Sequence, residues 1–256
     1  MEKPNTNKIL QGKVALVTGG SRGLGAATAA KLADLGANVA ISYVASEAKA
    51  AAVVAGLERT GVRALAVRSD QGDPAAAQSL IDRVVAHFGK LDILVNNAAV
   101  AIQGKRIDEP DVDNAALDRQ WMVNVLGVVA TTRAAAPKLT DGGRIVFVGS
   151  GLGTRVAFSH VTDYSATKAA VIGYARGAAR DLGPRKITVN VVQPGIMPTD
   201  MGTAAGPNLP PAVMDMMAIR RIATVEEVAA SIAFLAGPDA GYITGTILDI
   251  SGGFQV

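Results

Sequence analysis

Seven short apolar runs recur along the chain, at 13–18, 38–43, 64–69, 93–95, 144–149, 188–192 and 246–250. They are nearly continuous rather than alternating, the pattern of strands buried on both faces of a parallel sheet. Between them, helical periodicity predicts helices over 25–35, 47–60, 75–87, 115–137, 164–182 and 225–236. Gly36, Gly61, Gly89 and Gly183 stand where helices need a left-handed C-terminal turn. The alternation predicts one α/β domain over 1–256: a doubly wound, seven-stranded parallel sheet with helices on both faces. Residues 1–11 are expected to form a flexible N-terminal tail.

One segment breaks the rhythm. Residues 197–221 carry Pro198, Gly202, Gly206, Pro207, Pro210 and Pro211, then Met214, Met216 and Met217. A connection this long is either functional or disordered. It is read as a lid over a substrate, with a short helix around 212–219 and methionines as an adaptable apolar wall. The plainer alternative is that the methionines only anchor the loop to the body.

Composition removes several function classes. Apolar residues make up 49% of the chain, ample for a large core, and no linker or repeat divides it. Charge is mixed, with a net of +3 and no basic stripe, so nucleic acid is not an expected partner. Cysteine is absent, which rules out disulfides and thiol chemistry. The first ten residues lack a signal core, and no run approaches the ~20 apolar residues of a membrane span. A cytoplasmic location is the expectation. No metal is expected: His87 closes a helix, His160 lies in a loop, and nothing resembles a paired-His zinc site. Trp121 is read as a core or subunit contact.

Two patterns carry chemistry. Tyr164 and Lys168 are four residues apart, on one face of a predicted helix. A phenol with a pKa near 10 is a poor base at neutral pH, and a cation about 4 Å away can lower it. Near the N-terminus an apolar strand runs into Thr18-Gly19-Gly20-Ser21-Arg22-Gly23-Leu24-Gly25 and then an Ala-rich helix. Strand, glycine turn and helix form the context of a dinucleotide fingerprint, here with the spacing G-x-x-x-G-x-G. The glycines let backbone approach a pyrophosphate, and the amides of the helix start face the anion.

With these residues in view, the chain resembles the short-chain dehydrogenase/reductase family from about Gly12 to Phe254. The motifs come in the family's order. Thr18 to Gly25 resembles the cofactor loop, and Asp70 the acid that hydrogen-bonds the adenine. Asn96-Asn97-Ala98-Ala99 resembles the N-N-A-G segment. Asn124 resembles the helix residue that holds a water near the lysine. Ser150, Tyr164 and Lys168 resemble the catalytic group, and Pro194-Gly195-Ile196, followed by Thr199, the segment that fixes the nicotinamide carboxamide. Two departures stand out. Ala99 replaces the motif's glycine and adds a methyl where backbone passes the cofactor. Ser150 also precedes Tyr164 by fourteen residues instead of thirteen, which places an extra residue within 153–163.

The resemblance implies a Rossmann-type fold, a homotetramer, and hydride transfer between a nicotinamide and a carbonyl or secondary alcohol. Ser150 would hydrogen-bond the carbonyl oxygen and Tyr164 would protonate it. Lys168 would lower the Tyr164 pKa and, with Tyr164, hold the nicotinamide ribose, while Asn124 would keep a water in line. The expected substrate is a small or medium apolar ketone or a 3-oxoacyl compound. NADP(H) is favoured over NAD(H), because no carboxylate follows the second strand at Ser42-Tyr43-Val44. Arg22 is placed to pair with a 2′-phosphate, and Ser42 or Ser46 to hydrogen-bond it; the competing reading of Arg22 is a solvent-facing charge. An NAD-dependent secondary alcohol dehydrogenase is the nearer alternative. A non-catalytic cofactor-binding regulator is one from another class, and a dehydratase or epimerase on the same scaffold is a third.

Overall fold

In the computed structural model, which describes residues 8–199, 201 and 211–256, the seven apolar runs form one parallel sheet. Its strands are β1 (Val14–Val17), β2 (Asn38–Tyr43), β3 (Ala64–Arg68), β4 (Leu91–Asn96), β5 (Leu139–Val148), β6 (Thr188–Pro194) and β7 (Ile247–Ile250). The order is β3-β2-β1-β4-β5-β6-β7. β1 pairs with β2 on one side and β4 on the other, with Ala15 opposite both Val39 and Ile93. The winding direction reverses between β1 and β4, so a crevice opens there beyond the carboxyl ends of the strands.

Alternate side chains of these apolar strands feed two separate cores. Ala15 and Val17 pack on one face with helices α1 (Gly23–Asp34), α2 (Glu47–Glu58) and α8 (Val225–Ala236). Val14 and Leu16 pack on the other, with α3 (Ala76–Phe88), α5 (Gly127–Ala135) and α6 (Thr162–Leu182). Two-sided burial explains the lack of polar alternation in the sequence. Among the described residues no helix is long and apolar enough to cross a membrane.

The structure departs from the sequence reading in five places. The helix expected over 115–137 is broken into α4 (Asn114–Trp121), a π turn (Met122–Leu126) and α5. The extra residue of a π turn rotates the following face by about 100°. Strand β5 starts at Leu139, five residues early, because Thr140-Asp141-Gly142-Gly143, which reads as a turn, is carried in the strand with a register shift against β4. Gly183 does not reverse the chain as Gly36, Gly61 and Gly89 do: its φ is −53°, and Pro184 continues a 3₁₀ turn until Lys186 takes the left-handed conformation at φ +57°. The tail expected over 1–11 is anchored from Lys8 on. Leu10 is buried, and its amide donates to the Leu35 carbonyl at 2.8 Å; residues 1–7 lie outside the described set. Finally, the lid helix, α7, spans only Pro211–Asp215, and residues 200 and 202–210 of the expected lid lie outside the described residues.

Candidate active site

The glycine loop leaves β1 through Thr18, which is fully buried and ties two strand ends together. Its hydroxyl accepts from the amides of Asn97 and Ala98, both at 3.0 Å. The Asn97 side-chain amide donates to the carbonyls of Thr18 (2.8 Å) and Gly19 (3.3 Å). Two glycines are forced by close approach. A Cβ on Gly25 would lie 2.4 Å from the Gly19 carbonyl oxygen, and one on Gly19, where φ is +66°, would lie 3.0 Å from the Ala98 Cα. The crowding therefore falls on Ala98; Ala99 is half-buried and lines the cavity.

At the far rim, Ser42 is buried and its hydroxyl accepts from the Gly19 amide at 3.2 Å. Ser46 sits at the N-cap of α2 but makes no side-chain capping bond. Asp70 bends over its own turn: Oδ1 accepts from the Gly72 amide at 2.8 Å and from Arg119 at 2.5 Å. Burial acts to raise the Asp70 carboxyl, but the Gly72 amide and the Arg119 guanidinium outweigh it and leave its pKa lowered. A Cβ on Gly72 would meet Arg119 at 1.8 Å, so glycine is what lets the guanidinium lie there.

Ser150 follows the end of β5, at the mouth of the same crevice. Its hydroxyl accepts from the Leu152 amide at 3.2 Å and is hydrogen-bonded to Tyr164. The residue after it, Gly151, opens a 3₁₀ turn over Gly151–Gly153. Two other hydroxyls of that loop have protein partners: Thr154 accepts from Gln193 at 2.6 Å, and Ser159 bonds the His160 ring at 3.0 Å. Lys168 lies one helical turn from Tyr164, its ammonium 5.8 Å from the phenol ring centroid, and donates to the Val148 carbonyl at 3.0 Å. Burial pulls Lys168 down to about 8. Burial also raises the Tyr164 phenol above its ordinary 10, although the Ser150 hydrogen bond pulls the other way. The expected lowering of Tyr164 is thus reversed, because burial of the ring outweighs the Ser150 bond.

These groups line one continuous cavity of about 1280 Å³. Every residue assigned to the cofactor from the sequence borders it, from Gly19, Ser21, Arg22, Gly23, Leu24 and Gly25 to Pro194, Gly195, Ile196 and Thr199. Ser150, Tyr164 and Lys168 border it too. Asn124 does not. It is buried in the π turn, where its side chain accepts from the Val100 amide (2.9 Å) and donates to the Val100 carbonyl (2.8 Å) and Thr167 (3.2 Å). Those bonds join the segment after β4 to α6, which makes it a positioning residue. From the lid segment, Met197, Met201, Val213 and Met217 border the cavity.

Several contributors had no signal in the sequence. Arg119 meets Asp70 across 49 residues, and Trp121 donates to Asp163, beside Tyr164, at 2.9 Å. The turn after β7 also reaches the cavity through Ser251 and Phe254. Such contacts depend on tertiary placement and leave no local pattern.

The crevice fits a dinucleotide: it has a backbone cradle with no room for Cβ atoms, a helix start and an adjacent Tyr-Lys pair, in a space larger than most small-ligand sites. Comparison with known proteins agrees. A family model described as enoyl-(acyl carrier protein) reductase matches residues 19–255. The cyclic-di-GMP-binding biofilm dispersal mediator protein of Escherichia coli (strain K12) is 41% identical over 243 residues, covering 95% of this chain and 97% of that protein. A 3-oxoacyl-(acyl-carrier-protein) reductase of Staphylococcus aureus (strain Mu50) is 37% identical over 248 residues, covering 95% and 98%. Among solved structures, a short-chain dehydrogenase from Burkholderia cenocepacia J2315 in complex with NADP superposes with a TM-score of 0.92 at 49% identity, covering 96% and 99%.

Proposed function

Because the chain belongs to the short-chain dehydrogenase/reductase family, we propose that it reduces an apolar ketone or 3-oxoacyl compound with NADPH. The observation that carries this reading is the single cavity in which the glycine cradle and the Ser150-Tyr164-Lys168 group face one another. When bound, the dinucleotide supplies the hydride. The chain's residues manage the proton. Tyr164, its pKa raised by burial, holds its proton at neutral pH and is set to give it to the carbonyl oxygen. Ser150 accepts from Leu152, which orients its hydroxyl, and it donates a hydrogen bond to that oxygen while keeping its proton. Lys168, with a pKa near 8, stays charged at neutral pH and holds the ribose hydroxyls with Tyr164. Asn124 ties α6, which carries Tyr164 and Lys168, to the segment after β4.

The preference for NADPH is supported by Arg22, Ser42 and Ser46 bordering one end of the cavity, where β2 ends without a carboxylate. The NADP bound by the Burkholderia relative supports it as well. The test follows reduced-nicotinamide absorbance over a panel of ketones with both cofactors. NADPH should be consumed faster, and Arg22→Ala should raise its KM by roughly tenfold, the size of one lost charge-assisted contact, while sparing NADH. Faster turnover with NADH by the unmutated protein overturns the preference.

A regulatory reading has one specific support, the likeness to the cyclic-di-GMP-binding protein of Escherichia coli. Calorimetry with cyclic-di-GMP, set beside the ketone panel, separates the two: binding without any turnover favours the regulator.

A further inference from the structure

The chain is poor in aromatic residues, with five Phe, four Tyr and one Trp. Four of these ten border the cavity: Tyr43, Phe158, Tyr164 and Phe254. Tyr43 ends β2 at the cofactor rim, and Tyr164 is the proton donor of the proposed reaction. Phe158 and Phe254 remain unexplained. They come from opposite ends of the second half of the chain, yet their rings stack with centroids 5.9 Å apart and planes 28° from parallel. Phe254 is buried and Phe158 half-buried.

The pair is held more firmly than a chance contact. Arg155 places its guanidinium over the Phe254 ring, 5.5 Å from the centroid, and donates to the Phe254 carbonyl at 2.5 Å. Gln255 donates to the Gly151 carbonyl at 2.9 Å, beside Ser150. On its other side the same turn meets the lid base: the Ile219 amide donates to Gly252 at 2.8 Å, and a Cβ on Gly253 would lie 2.6 Å from that of Ala218. The rings are therefore fixed to the loop that presents the Ser150 hydroxyl. A rigid π surface in place before binding adds selectivity with little ordering entropy lost.

We propose that Phe158 and Phe254 form an aromatic wall that selects substrates whose carbonyl is tethered to an aromatic ring. The proposal rests on the ketone-reductase reading and sharpens its substrate class. A third ring against the pair gains edge or offset-stacking attraction that a saturated ring of the same size does not. The walls farther round, Met197, Met201, Val213 and Met217, are flexible and apolar and tolerate varied substituents.

The test uses 4-phenyl-2-butanone and 4-cyclohexyl-2-butanone, which share the same methyl ketone and differ only in ring character. Two readouts are taken on the NADPH complex: ketone binding by calorimetry, and kcat/KM. The phenyl compound should bind and turn over about three- to tenfold better, the range for one aromatic pairing. In Phe158→Leu and Phe254→Leu, with folding checked by NADPH affinity, that ratio should fall towards one. Phe158→Tyr should keep it. Equal binding of the two ketones to the unmutated protein overturns the wall, and so does a preference that survives in both Leu variants. A phenyl preference in binding without turnover of either ketone keeps the wall and sinks the reductase reading.

Discussion

Lys168 is buried in a protein that gains nothing in stability from its charge. Its folded pKa, about 8, lies below the ordinary 10.5, with burial as the cause. Below pH 8 both folded and unfolded chains carry the ammonium, and the folded one bears the full penalty of enclosing it. Between pH 8 and 10.5 the folded chain releases the proton first, so the penalty fades and stability rises with pH across that window. Lys168→Met should therefore stabilise the fold at pH 7 by about 2 kcal/mol, once the lost hydrogen bond to Val148 is set against the relief. The gain should vanish above pH 10.5, and turnover should be lost. Thermal melts of both proteins across pH 7 to 10.5 check this; an unchanged or lowered Tm at pH 7 contradicts it. Tyr164→Phe should leave NADPH affinity nearly intact, because Lys168 still holds the ribose, and lower kcat by at least about a hundredfold, whereas near-normal activity removes Tyr164 as the donor. At this scale much was legible, because Tyr164 and Lys168 announce themselves by spacing. The direction of the Tyr164 pKa was not, because burial depends on what folds over the ring.

The broken helix α4–α5 is the element whose form the sequence hid most fully. Its apolar periodicity reads straight through the π turn, which is set by contacts on another element. At the exit of that turn Gly127 presses on the Asp70–Gly72 turn: a Cβ there would lie 1.7 Å from the Gln71 carbonyl oxygen. Gly127→Ala must push α5 away or shift Gln71, an overpacking expected to lower stability by about 1–3 kcal/mol. It should also weaken NADPH binding, because Asp70, held there by Arg119 of α4, sits on the displaced turn. Urea unfolding and a cofactor titration would show both losses together, and stability and affinity both at unmutated levels would mean the backbone yields without strain. The strands were easier to read: continuous apolar runs gave all seven, and the main error was the early start of β5, concealed by its two glycines.

At the scale of the molecule, β7 is an edge strand of four residues, and edges invite pairing. Near it Tyr242 is fully exposed, and Phe234 of α8 is half-exposed. We propose that these apolar surfaces pair in the homotetramer that the family resemblance implies. Light scattering should give four times the chain mass of 26.1 kDa, and Phe234→Glu with Tyr242→Glu should lower the assembly order. A monomer in the unmutated protein rejects it. Which residues near the end of the chain face outward was not legible in the sequence, because it depends on how β7 and α8 pack.

The reversal of winding between β1 and β4 has one more consequence. It leaves the glycine loop and the β2 rim to the first hundred residues, and Ser150, Phe158, Tyr164 and Phe254 to the last hundred or so. Coenzyme choice and carbonyl choice are thus written on separate stretches of chain that meet across a crevice. Drift in one stretch need not disturb the other, so a lineage can acquire new substrates while inheriting its reductant unchanged.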